Sequence, residues 1–154
     1  MSQFEFRSVP RQHTAVVVVT TPTARISEAM GQAFGTVFAA VGRLGATPVG
    51  PAMCRYTAYT EESVTFEAGV PVAEPFPGDG DVVGSEIGGV EAAVAVHVGP
   101  YDTLAQTYGA LTAWIESRGR RPGSVMWELY LNDPDTTPPD QLRTEIFWPA
   151  EEAS

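Results

Sequence analysis

Met30, Phe34, Val37 and Val41 recur at intervals of three and four residues, and Leu104, Tyr108, Leu111 and Ile115 repeat that spacing at an offset of 74. Side chains so spaced share one face of an α-helix, so the pattern predicts two amphipathic helices. Both carry matching punctuation. Ser27 and Asp102 are candidate N-caps, Gly45 and Gly119 are candidate left-handed glycines at the C-terminal ends, and Pro48 and Pro122 follow.

Strand-like segments surround each helix at corresponding places. Ala15 to Thr20 and Ala92 to Val98 precede the helices, and Ala52 to Tyr59 and Met126 to Asn132 follow them, with Tyr56 matching Tyr130. Val64 to Val70 and Arg143 to Trp148 close the halves, each running into a proline, Pro71 or Pro149. There the offset becomes 78, because Asn132 to Pro139 forms a longer, turn-rich loop. Glu74 to Asp81 reads as the connection between halves. The expected fold is α+β: a duplicated βαββ module with antiparallel sheets and two long helices related by a pseudo-twofold axis. Residues 1–154 form a single domain in this reading, with repeat halves at about 4–73 and 82–149. Each half alone would be marginal, so the two are expected to share a core, with a ligand cleft where they meet.

The chain's 154 residues suit one such domain, and 44% hydrophobic against 18% charged residues argues for a packed globule. Apolar runs such as Ala15 to Val19 are too short to cross a bilayer and no signal peptide is evident, so a cytoplasmic protein without a membrane partner is expected. The net charge of −10, with arginine supplying all nine basic residues, disfavours direct nucleic-acid binding. Arg118, Arg120 and Arg121 cluster at a predicted helix end, where they are read as partners of the helix dipole. Cys54 is the single cysteine, and His13 and His97 are the two histidines, so no disulfide, metal site or cofactor is expected. His97 is read as structural.

Alternation along Met126 to Leu131 puts Glu128 and Tyr130 on one strand face and Trp127, Leu129 and Leu131 on the other. If the apolar set faces the helices, Glu128 and Tyr130 occupy the opposite face. Glu145 and Phe147 are expected to join them there, with Ile146 and Trp148 pointing inward. The repeat adds Tyr56 and Glu67 at the positions of Tyr130 and Glu145, while Cys54 stands where the second half has Glu128. Such a face is either a solvated sheet surface or the wall of a pocket. Trp127, which shares a face with Leu129, is read first as core, Tyr101 can pack against the second helix or touch a ligand, and Tyr108 and Phe34 are read as core.

The words His97-Val98-Gly99-Pro100-Tyr101-Asp102, Trp114-Ile115, Trp127-Glu128-Leu129-Tyr130-Leu131-Asn132-Asp133-Pro134 and Thr144-Glu145-Ile146 occur in that order. In order and spacing they resemble the GyrI-like, or AraC-type effector-binding, domains found in multidrug-responsive transcription activators. Gly50-Pro51, Arg55-Tyr56 and the strand from Glu67 to Pro71 extend the resemblance over nearly the whole chain. It implies an SHS2-like tandem fold and a pocket for hydrophobic, often cationic compounds. Glu128 would contact the ligand and Glu145 would be its companion, with Tyr56, Tyr130, Phe147, Tyr101 and Trp127 as aromatic walls.

Activators of that type carry a DNA-binding segment ahead of the domain. Strand-like residues here begin by Phe4, so a stand-alone binder is expected, with any DNA-binding regulator a separate chain. Two alternatives remain open. One is a hydrolase that adds water to strained, cyclopropane-type electrophiles, with Glu128 or Glu145 as general base. The other is an interaction protein directed at a topoisomerase or a regulatory partner.

Overall fold

A computed structural model describes residues 4–152. In chain order its strands are β1 (Glu5–Val9), β2 (Gln12–Pro22), β3 (Met53–Tyr59), β4 (Ser63–Pro71), β5 (Val82–Ile87), β6 (Val90–Val98), β7 (Arg120–Pro122), β8 (Met126–Tyr130) and β9 (Arg143–Glu152). Helix α1 (Ile26–Leu44) follows β2, and α2 (Leu104–Ser117) follows β6. The fold is mixed α+β, with antiparallel sheets and two long helices. The chain divides into two compact units, Arg11–Gly88 and Gly89 onward joined by the N-terminal segment to Pro10.

In the unit Arg11–Gly88 the strand order is β3-β4-β2-β5, antiparallel throughout. The predicted stripe of α1 packs on the sheet: Val37, Ala40 and Val41 meet Ala15, Val70, Val72, Phe76 and Val82 in one buried cluster. Gly45 ends α1 in the left-handed region at φ 67°, as the C-terminal glycine signal requires, and Gly119 follows α2 at φ 75°. The N-cap expectations fail. A single 3₁₀ turn leads into each helix, Thr23–Arg25 and Tyr101–Thr103, so Ser27 lies inside α1 and Asp102 inside a turn.

The second unit has the order β8-β9-β6-β1, with β7 paired to the end of β9. Both units thus contain the same four-strand arrangement, but the fourth strand has different origins. It is β5 in one, following in sequence, and β1 in the other, taken from the start of the chain and paired from Glu5↔Val94 to Val9↔Val90. The strand at Val82–Ile87 and the strand at Glu5–Val9 therefore sit in the units opposite to those expected from the repeat boundaries.

Of the arginine cluster, Arg118 stands at the C-terminal cap of α2 as expected, whereas the other two members need correction. Arg120 and Arg121 lie on β7, beyond α2. Arg120 pairs with Glu91 and donates to the Ala150 carbonyl, with its guanidinium 4.7 Å from the Phe6 ring centre. Arg121 pairs with Glu151 at 3.5 Å. These cations hold strands together instead of balancing a helix dipole. No helix among the described residues is long and apolar enough to cross a membrane.

Two glycines give opposite expectations. A Cβ at Gly69 would lie 1.8 Å from the Ala15 carbonyl oxygen of the paired strand, whereas one at Gly109 on α2 would meet nothing within 4 Å. Gly69→Ala should cost about 2–4 kcal/mol through backbone displacement, and Gly109→Ala should gain up to about 1 kcal/mol from helix propensity. Urea unfolding midpoints of the two variants check both signs.

Candidate functional site

Cross-strand register decides which side chains share a face. Trp127 is opposite Phe147, Glu128 opposite Ile146, Leu129 opposite Glu145 and Tyr130 opposite Thr144. Directly opposed residues point to the same side of a sheet. Glu128 and Tyr130 therefore share a face with Ile146, Thr144 and Trp148, whereas Glu145, Phe147, Trp127 and Leu129 occupy the other.

The face that carries Glu128 is the one toward α2. The Tyr108 hydroxyl on that helix donates to Glu128 Oε2, and the Tyr108 ring meets Trp148 edge-on at 5.9 Å between centres. The expected orientation of β8 is thus reversed, while that of Ile146 and Trp148 on β9 holds. The same inversion affects the first unit, where Tyr56 and Cys54 share the helix-side face with Phe66 and Ala68, and Arg55 and Glu67 point away. Hydrophobicity misled because both faces of β8 are buried: Trp127 is 3% exposed and Glu128 0%.

Glu128 is held by two phenols. Tyr130 donates to Oε1 at 2.8 Å, and Tyr108 donates to Oε2. Tyr101, in the 3₁₀ turn before α2, packs edge-on against Tyr130 at 5.8 Å. Burial, and then the carboxylates of Glu128 and Asp133, hold the Tyr101 hydroxyl above its ordinary pKa. Each oxygen of the carboxylate has a charge-assisted hydrogen bond, which offsets part of its lost hydration. Such a cluster can orient a buried negative charge and surround it with ring faces.

Of the expected site residues, the structure brings together Glu128, Tyr130 and Tyr101. Glu145 is on the opposite face, 3.5 Å from Arg7, whose guanidinium lies 5.9 Å from the Phe147 ring centre. Trp127 and Phe147 stack on that same face at 5.3 Å with planes 6° apart. Glu145 is therefore not the companion of Glu128. Tyr56 belongs to the other unit, where its ring meets Phe66 at 6.1 Å. His97 bonds Thr107 at 2.7 Å, Thr103 at 2.9 Å and the Pro100 carbonyl at 3.1 Å, tying β6 to the start of α2.

Tyr108, which sequence reasoning assigned to the core, also belongs to this cluster through its bond to Glu128. Its phenol was the available signal, since a hydroxyl on a packed helical stripe needs an acceptor. Two concavities, of about 330 and 380 Å³, lie in the other unit around Phe76, the first beside Gly45 and the second beside His13. They lack this combination of a buried carboxylate and phenols.

Residues 2–151 match the profile described as GyrI-like small molecule binding domain. The chain belongs to this family. No curated protein matches it. Among solved structures, this GyrI-like chain is similar to the EcmrR C-terminal domain, at TM-score 0.79 and 22% identity over 98% of each chain. In the EcmrR–DNA complex it again covers 98% of its own length but 58% of the EcmrR chain, at TM-score 0.83 and 22% identity. It also resembles SAV2435 bound to tetraphenylphosphonium, at TM-score 0.69 and 12% identity over 97% of this chain and 94% of that one. A hydrolase from Listeria innocua matches at TM-score 0.65 and 15% identity, over 97% of this chain and 92% of its own. Identities this low establish a shared fold.

The raised pKa of Tyr101 has a pH signature. Above about pH 10 the unfolded chain loses the phenolic proton while the folded chain keeps it, so the stability linked to protonated Tyr101 is full below that pH and falls as pH rises. Tyr101→Phe should flatten the alkaline decline, read from urea midpoints between about pH 9 and 11. Separately, Tyr108→Phe removes a donor to a carboxylate and should cost about 1.5–3 kcal/mol in the same assay.

Proposed function

We propose that this GyrI-like domain binds hydrophobic organic cations, with the Glu128 carboxylate as counter-ion and the rings of Tyr101, Tyr108, Tyr130 and Trp148 as walls. The observation that carries this reading is a carboxylate at 0% exposure held by tyrosine hydroxyls on the helix-facing side of the sheet. A buried charge is costly, and a lipophilic cation offers it a stronger partner than a phenol does. Aromatic faces add about 0.5–2 kcal/mol per ring when dry and tolerate varied shapes. The relative SAV2435, solved with tetraphenylphosphonium, fits this ligand chemistry.

Glu128 has no exposed surface, so a ligand reaches it only if a covering segment moves. The turn Tyr101–Thr103 is the adjacent candidate, with Tyr101 37% exposed. Opening would lower apparent affinity by the fraction of molecules that are open.

Hydrolysis of a strained electrophile is the second reading, favoured by the pairing of a carboxylate with phenols that could act as base and proton donor. The hydrolase from Listeria innocua shares the fold. In that reading Glu128 would work with Tyr108 or Tyr130, because Glu145 projects from the opposite face. Product analysis after long incubation separates turnover from binding, and pull-down of a stoichiometric regulatory partner would favour the interaction role.

For binding, Glu128→Gln should weaken a cationic aromatic dye about 10- to 100-fold while leaving a neutral analogue nearly unchanged. Titration calorimetry gives both affinities, and equal losses for the two ligands would refute the electrostatic role.

A further inference from the structure

Comparison of the two repeats, row by row across their sheets, isolates a second polar group beside Glu128. In the first unit the row Val19↔Phe66↔Tyr56 crosses β2, β4 and β3. Its counterpart in the second, across β6, β9 and β8, is His97↔Thr144↔Tyr130. The neighbouring row, Val17↔Ala68↔Cys54, becomes Ala95↔Ile146↔Glu128. Where the first unit buries a phenylalanine, the second buries a threonine, and it does so diagonally next to the position that has gained a carboxylate.

Thr144 is 0% exposed, and its Oγ1 has no hydrogen-bond partner among the described residues. Its two cross-strand neighbours are already engaged: His97 with Thr107, Thr103 and Pro100, and Tyr130 with Glu128. Leaving a buried hydroxyl unsatisfied costs about 1–3 kcal/mol, whereas an apolar side chain of the same shape would avoid the cost. A threonine in an apolar position, aimed to the same side as Glu128, is explained if a bound molecule supplies the missing partner.

We propose that Thr144 is a specificity-determining contact whose hydroxyl accepts a hydrogen bond from the N–H of a protonated amine bound at Glu128. The inference rests on the cation-binding reading of that site and adds a ligand class to it. The negative potential of Glu128 favours the positively polarised end of a ligand group, so the threonine oxygen acts as acceptor. Diagonal neighbours on adjacent strands have Cβ atoms about 7 Å apart, a gap in which one ammonium can donate its N–H to Thr144 while its charge faces the Glu128 carboxylate, whose oxygens already accept from Tyr108 and Tyr130. A quaternary ammonium or a phosphonium has no N–H and leaves the hydroxyl unsatisfied. The site should therefore select protonated amines over permanently charged cations of equal size.

The test uses a matched pair of probes, protonated N,N-dimethyl-4-phenylbenzylamine and its N-methylated quaternary analogue, titrated calorimetrically into the full chain at neutral pH. The unaltered protein should prefer the amine about 3- to 10-fold, the ratio one hydrogen bond supplies. Thr144→Val should bring the ratio to about one by weakening the amine alone, with melting temperature unchanged or raised, and Thr144→Ser should restore the preference. Glu128→Gln should weaken both probes. A ratio that survives Thr144→Val, or a lowered melting temperature in that variant with equal loss of both probes, overturns the role of Thr144 and leaves Glu128 standing. Failure of both probes to bind the unaltered protein overturns the Glu128 reading as well.

Discussion

A carboxylate taken wholly out of water constrains everything near it. Transfer of an ionised carboxylate into a protein interior costs several kcal/mol even after relaxation, and hydrogen bonds to both oxygens return part of that cost. The Glu128 side chain meets this demand with phenols from two directions, Tyr130 from its own strand and Tyr108 from α2. The helical stripe on α2 must therefore deliver a hydroxyl as well as apolar bulk, and β8 must present its polar set toward the helix. The packing of Tyr108 against Trp148 and of Tyr101 against Tyr130 surrounds that charge with rings.

The duplicated module shows how a site arises without a change of scaffold. Both units use the same four-strand order, and equivalent strands carry equivalent rows of side chains. In one unit these rows carry Val19, Phe66 and Tyr56 beside Val17, Ala68 and Cys54, and Phe66 fills the centre at 0% exposure. In the other they carry His97, Thr144 and Glu128 at matching positions. The first unit keeps the ordinary core of its module, and the second gives up part of that core for polar chemistry.

The reverse face of the second sheet does different work. Trp127 and Phe147 stack face to face, and Arg7 lies over the Phe147 ring while pairing with Glu145. Arg7 reaches this position because β1 adds to β6. The strand from the start of the chain thus supplies the cation that neutralises Glu145, so the two glutamates that look alike in sequence have unrelated surroundings.

By itself the sequence determined the duplication, the two helices with their terminal glycines, six of the nine strands among the described residues, and the family. Each of these depends on spacing along the chain or on a contiguous word of residues, which are local properties. Tertiary structure alone decided which face of β8 meets the helix, because cross-strand register is set by pairing between distant segments and both faces of that strand are buried. It also decided the placement of β1 and β5, short strands whose partners, β6 and β2, no local pattern identifies. Tyr108 and Thr144 were illegible for the same reason: whether a hydroxyl finds a partner depends on what the fold brings within 3 Å of it, and no periodicity in the chain encodes that distance.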